Sequence, residues 1–194
     1  TLLKAYFCRM ENSFETSQHL EKLSFDHFRQ EVLQDYRWVC MSREASLVGR
    51  KEVLTGKAKF GIFGDGKEVA QVAMAKFFQP GDFRSGYYRD QSFMFASGLP
   101  TVVQFFAQLN ADPDLDHDIF SGGRQMNAHF ASRLVDDYGN WLDLVNRKNV
   151  SPDTAPTAAQ LARALGLALA SKCFRNIEQL HQFRRQWIRI SRLN

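Results

Sequence analysis

The amino-acid sequence predicts a helix-rich globular fold, and two observations support that prediction. Apolar residues recur at three- and four-residue steps in five segments of the chain, which is the period of a helix with one buried face. Of the 194 residues, 44% are hydrophobic and 24% charged, far from the charge-rich balance of a disordered chain. The length suits one ordinary domain or a piece of a larger protein.

The first helix is predicted to begin after Ser24, whose hydroxyl can cap the helix start. A core-facing side is expected from four apolar residues at helical spacing, Phe25, Phe28, Val32 and Tyr36. The segment SREASLVGRKEVLT, residues 42–55, predicts a separate second helix that carries Leu47 and Val48 and stops near Gly56.

Residues 61–68, GIFGDGKE, nearly match two cofactor-binding motifs. A nucleotide-binding P-loop needs a buried strand before it and Ser or Thr where Glu68 stands, and the preceding TGKAKF is too charged for such a strand. The metal-binding motif of thiamine enzymes begins Gly-Asp-Gly but needs a later pair of asparagines, and no asparagine lies between Gly64 and Asn110. The segment is therefore predicted to be a turn, with Lys67 and Glu68 starting a helix.

Three further helices follow from the apolar pattern. In residues 67–82 the core side would be Val69, Val72, Ala73, Phe77 and Phe78, ended by Pro80-Gly81. In residues 101–114 it would be Val102, Phe105, Phe106 and Leu109. A long loop from Asp112 to Pro156 precedes the closing helix of residues 151–172, whose apolar side includes Leu161, Leu165 and Leu169.

Cysteine usage and charge restrict the setting and the partners. Cys8, Cys40 and Cys173 have neither disulfide nor metal-ligand spacing, and no apolar run approaches the length of a membrane span. A cytoplasmic protein with no membrane partner is therefore expected. The net charge of +4 resides in the arginine-rich end, residues 175–194, because the preceding residues have equal numbers of acidic and basic side chains. Such a tail suits an acidic partner or nucleic acid, but the rest of the chain does not.

Three ordered stretches carry a more specific pattern. They are SREASLVGRKEVLTGKAKFGIFGDGKEVAQVAMAKFFQPGDFRSGYYRDQSF, then SGGRQMNAHF, then DTAPTAAQLARALGLALASK. Together they resemble the alpha-type part of the thiamine-diphosphate-dependent decarboxylating component of 2-oxo acid dehydrogenase complexes, of the 2-oxoisovalerate (branched-chain) or pyruvate type. The resemblance covers about residues 22–175.

The resemblance implies an α/β fold class. The chain would be the helix-rich N-terminal part of a thiamine-diphosphate-binding doubly wound fold, incomplete here. Residues 1–21 would then be an extension, residues 22–175 the N-terminal part of the cofactor-binding domain, and residues 176–194 a basic tail at a truncated or non-native end. An amphipathic tail that binds acidic partners is the alternative for this last segment.

The resemblance also implies cofactor-binding residues. Tyr88 and Arg89 would hold the diphosphate, and a guanidinium can grip a diphosphate through two hydrogen bonds. Read without the family, Arg89 beside Asp90 would be a surface ion pair. Ala155 and Thr157 match the loop that faces the aminopyrimidine ring, and Ala155 stands where relatives carry Ser.

His129 and two possible potassium ligands complete the implied site. His129, in the loop GRQMNAHF, would orient the substrate as a catalytic residue or lock its own loop. Thr154 and Gln160 would take part in a potassium loop, in which Ala159 replaces a hydroxyl residue. The magnesium site is expected beyond the end of this chain.

The implied activity is oxidative decarboxylation of a 2-oxo acid, with acyl transfer to a lipoyl group. The implied partners are a beta-type subunit or fused half, which supplies an activating glutamate, and a lipoyl-bearing acyltransferase. This chain alone is therefore expected to be inactive. Two alternatives stay open: a non-catalytic basic module that binds nucleic acid or an acidic protein through its tail, and a helical regulatory subunit of a full-length partner.

Overall fold

A computed structural model describes residues 24–176. In chain order its elements are α1 (Phe25–Leu54), α2 (Glu68–Ala75), β1 (Phe83–Arg84), α3 (Gln91–Ala96), α4 (Val102–Leu109), β2 (Asn149–Val150) and α5 (Ala159–Asn176). The described chain is helix-rich with one small parallel sheet, which is compatible with the α/β class. The predicted extension of residues 1–21 lies outside the described residues, as does the predicted tail except for Asn176.

The two strands are parallel and very short. Phe83 lies opposite Asn149 and Arg84 opposite Val150. Four residues after β1, the chain reaches Tyr88, and the segment after β2 leads to α5. No helix within residues 24–176 is long and apolar enough to cross a bilayer.

The long helix α1 corrects the prediction of two separate helices. Its 30 residues run without interruption, because no glycine or proline occurs between Phe25 and Val48 to break it. The cap at Ser24 is confirmed: its hydroxyl oxygen accepts a hydrogen bond from the backbone N–H of His27 at 3.3 Å. The helix ends at Leu54, close to Gly56, which has φ +77°.

The predicted core side at the start of α1 is wrong. The chain divides into two compact units, residues 1–36 and 37–194, and the boundary falls within α1. In the first unit the four apolar side chains are exposed, Phe25 by 76%, because the described part of that unit contains no second element to cover them. The other three are Phe28, Val32 and Tyr36.

In the second unit, α1 packs through small residues. Its buried positions are Ser42, Ala45, Ser46 and Gly49, whereas the larger Leu47 and Val48 are exposed. A Cβ atom on Gly49 would lie 2.3 Å from the ring of Phe63. The helix therefore approaches its neighbours too closely for a larger residue at this point.

The core lies around α3 and α4. Its largest fully buried side chains include Met94, Phe95, Phe105 and Phe130, and the rings of Phe95 and Phe105 meet edge to face at 5.4 Å. Helix α4 confirms the pattern predicted for residues 101–114, with Phe105 and Leu109 buried.

The other two predicted helices form but bury different sides. Helix α2 begins at Glu68 as predicted, and Val72 and Phe78 are buried, but Val69 and Phe77 are 74% and 82% exposed. Helix α5 exposes its leucines, which are Leu161, Leu165 and Leu169. Among the α5 residues whose burial is described, Ser171 is buried, so the apolar side expected to pack is not covered by the described residues.

Residues 61–68 form the predicted turn. No strand precedes them within the described chain, and Gly66 adopts φ +85°, a conformation that favours glycine. The Glu68 carboxylate accepts a hydrogen bond from the Gly66 N–H at 2.9 Å. The Asp65 carboxylate pairs with Arg50 at 2.5 Å and with Arg43 at 3.7 Å. These ion pairs fix the turn against α1.

We expect Asp65→Asn to lower the free energy of unfolding at neutral pH by about 0.5–1 kcal/mol, the range for a partly exposed ion pair. The hydrogen bond from Arg50 holds the pKa of Asp65 below its ordinary value of 3.8. Because the folded-state pKa is depressed, this stabilisation is present above pH 3.8 and is lost as the pH falls below it. Urea unfolding at several pH values measures the difference between the two proteins.

The matched control is Asp137→Asn, which removes an exposed ion pair with Arg133. It should change the unfolding free energy by less than Asp65→Asn does. A difference between wild type and Asp65→Asn that grows as the pH falls would contradict the assignment.

Candidate functional site

The site lies at one edge of the parallel sheet. The carboxyl ends of parallel strands meet at the same edge, where ligands of open α/β sheets bind. Here the segments that leave β1 and β2 are residues 85–90 and residues 151–158. The predicted site residues Tyr88, Arg89 and Thr157 belong to these segments.

Tyr88 and Arg89 form a stacked cluster with Tyr87. The Arg89 guanidinium lies 5.0 Å from the ring centroid of Tyr87 and 5.3 Å from that of Tyr88, within the range of cation–π attraction. The two tyrosine rings are 4.0 Å apart. The Arg89 guanidinium is therefore held against two tyrosine rings.

Arg89 does not form the surface ion pair that its neighbour suggested. The Asp90 carboxylate accepts a hydrogen bond from Arg84 at 2.8 Å instead. Within residues 24–176, no carboxylate is ion-paired with Arg89. The alternative interpretation, a surface ion pair between Arg89 and Asp90, is wrong because the Asp90 carboxylate is paired with the buried Arg84.

His129 lies against the same cluster. It is 6% exposed, and its ring stacks on Tyr88 with centroids 5.9 Å apart and an interplanar angle of 22°. Its Nδ1 lies 3.2 Å from the carbonyl oxygen of Asn127, which assigns the ring proton to Nδ1, since a carbonyl oxygen only accepts. Its Nε2 is buried without a hydrogen-bond partner among the described residues, and with the proton on Nδ1 it is the acceptor nitrogen of the neutral ring.

Thr157 joins the cluster through Tyr87, a residue that sequence reasoning missed. The Tyr87 hydroxyl and the Thr157 hydroxyl oxygen are 3.1 Å apart. The hydrogen bonds with Thr157 and then with Tyr88 hold the pKa of Tyr87 below 10.0, and the hydrogen bond with Tyr87 raises the pKa of Tyr88 above it. Ala155 lies in the same segment and is exposed.

The two predicted potassium ligands share an unusual property. Thr154 Oγ1 and Gln160 Oε1 are buried without a hydrogen-bond partner among the described residues. The backbone carbonyl of Gln160 accepts a hydrogen bond from the Ser85 hydroxyl at 2.8 Å, so the start of α5 is attached to the segment after β1. Buried oxygens usually have partners, but other buried oxygens of the described chain share this property, among them Ser151 Oγ and Ser171 Oγ. Ala159 contributes no side-chain oxygen.

A cavity of about 360 Å³ adjoins His129. The Ser121 carbonyl accepts a hydrogen bond from Arg124 Nε at 2.8 Å, so part of the Arg124 guanidinium remains for other contacts. The residues that line the cavity include Phe120, Ser121, Arg124, Gln125, His129 and Asp153. The cavity thus combines three aromatic or imidazole rings, those of Phe120, His129 and Phe130, with the Arg124 cation and the Asp153 carboxylate.

Arg84, Asp90 and Asp153 were also missed. Arg84 is 7% exposed and pairs with both carboxylates. A charged residue inside a strand needs such partners when it is buried. The stretch DFRSG, residues 82–86, places an arginine next to an apolar residue. It does not reveal that one of the carboxylate partners of that arginine lies 69 residues away.

The described residues contain no group of three or more His, Cys, Asp or Glu side chains that could hold a metal ion. No protein-family model matches the chain. The geometry defines the class of site: a cluster of polar and aromatic side chains in the segments that follow a parallel strand pair, with an arginine held against tyrosine rings and a buried imidazole.

The turn at residues 61–68 packs against the backbone of the segment that carries Arg89. The Gly64 N–H donates to Gln91 Oε1 at 3.3 Å, and a Cβ atom on Gly64 would lie 2.3 Å from the backbone oxygen of Arg89. We expect Gly64→Ala to displace the Arg89 backbone and to lower the unfolding free energy by about 1–3 kcal/mol, as overpacking does. Thermal and urea unfolding measure the loss.

The matched control is Gly166→Ala in α5, where an added Cβ meets nothing within 4 Å. Since alanine favours helix over glycine, this variant should gain about 0.5–1 kcal/mol. Equal stability of Gly64→Ala and wild type would show that the close approach to Arg89 is wrong.

Proposed function

We propose that this chain is part of the alpha-type portion of a thiamine-diphosphate-dependent 2-oxo acid dehydrogenase. The observation that supports the proposal best is the clustering of residues implied independently by the family resemblance. The Tyr88 ring contacts both the Arg89 guanidinium and the His129 ring. The neighbouring Tyr87 is hydrogen-bonded to Thr157. Forty residues separate Tyr88 from the region of His129, so their contact does not follow from sequence proximity.

The residues fit a diphosphate. Arg89 is half-buried, is fixed on aromatic faces and lacks a carboxylate partner in the described chain, so its charge suits an anionic ligand. The Tyr88 hydroxyl adds a directed donor beside it. When bound, thiamine diphosphate supplies the nucleophilic carbon and the electron sink for the loss of carbon dioxide. This chain would bind and orient that group.

His129 would act on a substrate that is bound beside this cluster. Its acceptor Nε2, assigned from the Nδ1 contact with Asn127, can receive a hydrogen bond or a proton from a substrate hydroxyl. The 2-oxo acid class, 2-oxoisovalerate or pyruvate, belongs to the proposal, as do the beta-type subunit, the lipoyl-bearing acyltransferase, the cytoplasmic location and a magnesium site outside this chain. The competing basic module rests on the tail, which lies outside the described residues.

Binding of thiamine diphosphate tests the proposal. Because the described residues contain no group of His, Cys, Asp or Glu side chains that could hold Mg²⁺, we predict weak binding, with a dissociation constant of about 0.1–10 mM in the presence of Mg²⁺. Two-dimensional NMR should show saturable shifts at Tyr88, Arg89 and Thr157. Arg89→Met should weaken binding about tenfold, because it removes a charge-assisted hydrogen-bond donor pair.

The control variant is Arg133→Met, which removes an exposed arginine paired with Asp137 and should leave binding unchanged. Thiamine without its diphosphate is the control ligand and should bind more weakly. Absence of saturable shifts in the wild type, or equal affinity of Arg89→Met and wild type, would reject the proposal.

A potassium ion at Thr154 and Gln160 is part of the same proposal. Neutral oxygens buried without partners match the donors that hard cations prefer. We expect a higher melting temperature in KCl than in choline chloride at equal ionic strength, by roughly 2–4 °C for each kcal/mol of binding. Differential scanning fluorimetry measures the shift.

Thr154→Val keeps the side-chain shape and removes the hydroxyl, so it should abolish the response to potassium. Ser171→Ala is its control, since Ser171 Oγ is also buried without a partner but lies far along α5. A potassium response that persists in Thr154→Val would exclude this site.

A further inference from the structure

We propose that Arg84 is a positioning residue whose guanidinium holds together the three chain segments that form the site. These segments are residues 87–90, residues 129–130 and residues 153–157. The contacts of Arg84 with these segments do not depend on the proposed function. The effect of Arg84 on cofactor binding does rest on the function proposed above.

The first segment is held by hydrogen bonds to the Asp90 carboxylate and to the Tyr87 carbonyl. Arg84 Nη2 donates to the Asp90 carboxylate at 2.8 Å and to the Tyr87 carbonyl at 3.2 Å. The same Asp90 oxygen accepts the backbone N–H of Tyr87 at 2.9 Å. The tight turn that presents Tyr88 and Arg89 is closed by the Asp90 N–H, which donates to the Tyr87 carbonyl at 3.0 Å, and the guanidinium adds a hydrogen bond to each end of that turn.

The other two segments are held through Asp153. Arg84 Nη1 donates to both oxygens of the Asp153 carboxylate at 3.2 Å, and Asp153 Oδ2 also accepts the backbone N–H of Phe130 at 3.1 Å. The Asp153 N–H donates to the Phe130 carbonyl at 2.9 Å. Thus one carboxylate fixes the chain beside His129 and the start of the segment that reaches Thr157.

The surroundings are shaped for a planar guanidinium. The rings of Phe93 and Phe130 each lie 5.8 Å from Arg84 Cζ, and the side chain of Arg84 is 6% exposed. A Cβ atom on Gly86 would lie 1.9 Å from Arg84 Cζ. The residue at position 86 must therefore be glycine for the guanidinium to occupy this place.

Lysine cannot replace this arrangement. Its ammonium group is a single point of charge, whereas the guanidinium presents separate donors to Asp90, Asp153 and the Tyr87 carbonyl in a fixed plane. We therefore expect Arg84→Lys to keep the charge but to release at least one of the segments. Gly86→Ala should have a similar effect, because it displaces the guanidinium without altering it chemically.

The experiment separates positioning from general stability in the full chain. We measure the NMR contacts and ring-current shifts between Tyr88 and His129 in Arg84→Lys, Gly86→Ala and Asp90→Asn, at temperatures where each is folded. Ser24→Ala is the control, because it removes the hydrogen bond that caps α1 and leaves every hydrogen bond of the three segments in place. We expect the ring contacts to be lost or reduced in the first three variants and retained in the control.

Titration with Mg²⁺ and thiamine diphosphate provides the second readout. Arg84→Lys should bind about tenfold more weakly than wild type, since small displacements of positioning groups carry large costs. If the wild type shows no binding, the proposed function fails, but the ring contacts still decide the role of Arg84. Retention of the Tyr88–His129 contacts in both Arg84→Lys and Asp90→Asn would overturn the inference.

Discussion

The buried guanidinium of Arg84 is the interaction on which the candidate site depends. It pairs with Asp90 and Asp153, two carboxylates from segments far apart in sequence. Removing one member of such a group leaves an uncompensated buried charge, which costs several kcal/mol where a surface pair costs almost nothing. Burial raises the pKa of Asp153, and the nearby Arg84 charge opposes that rise. Arg84 thus helps to keep Asp153 ionised inside the protein.

The small parallel sheet explains why this group forms where it does. Pairing of β1 with β2 brings Arg84 level with Val150, and the chain continues from both strands toward the same edge. Each strand contains only two residues. Most of the other site residues lie in the segments that follow the strands. The turn at residues 61–68 contributes by packing Gly64 against the Arg89 backbone. A stretch that resembles a cofactor motif therefore supports the site without belonging to it.

Local sequence signals predicted a substantial part of this structure. The cap at Ser24, the helix around Phe105 and the helix start at Glu68 depend on nearby residues, and the structure contains all three. The burial of whole helix faces was predicted less well. The leucines of α5 have helical spacing yet are exposed, because periodicity identifies an apolar side but not the surface that covers it.

The candidate site shows the same division between local and distant information. The family resemblance implied Tyr88, Arg89 and His129, and the Tyr88 ring contacts the other two. It did not indicate Arg84 or Asp153, because a lone arginine and a lone aspartate are ordinarily solvated. Their pairing depends on the register of two strands that are distant in sequence. Tyr87 escaped notice because its bond to Thr157 also spans 70 residues.

The most direct measurement of the central claim is a crystal structure of the chain with saturating thiamine diphosphate and Mg²⁺. The proposed function predicts diphosphate oxygens within hydrogen-bond distance of the Arg89 guanidinium and the Tyr88 hydroxyl, with Arg84 still paired to Asp90 and Asp153. Cofactor density at another surface, or a crevice without cofactor at saturating concentration, would contradict it.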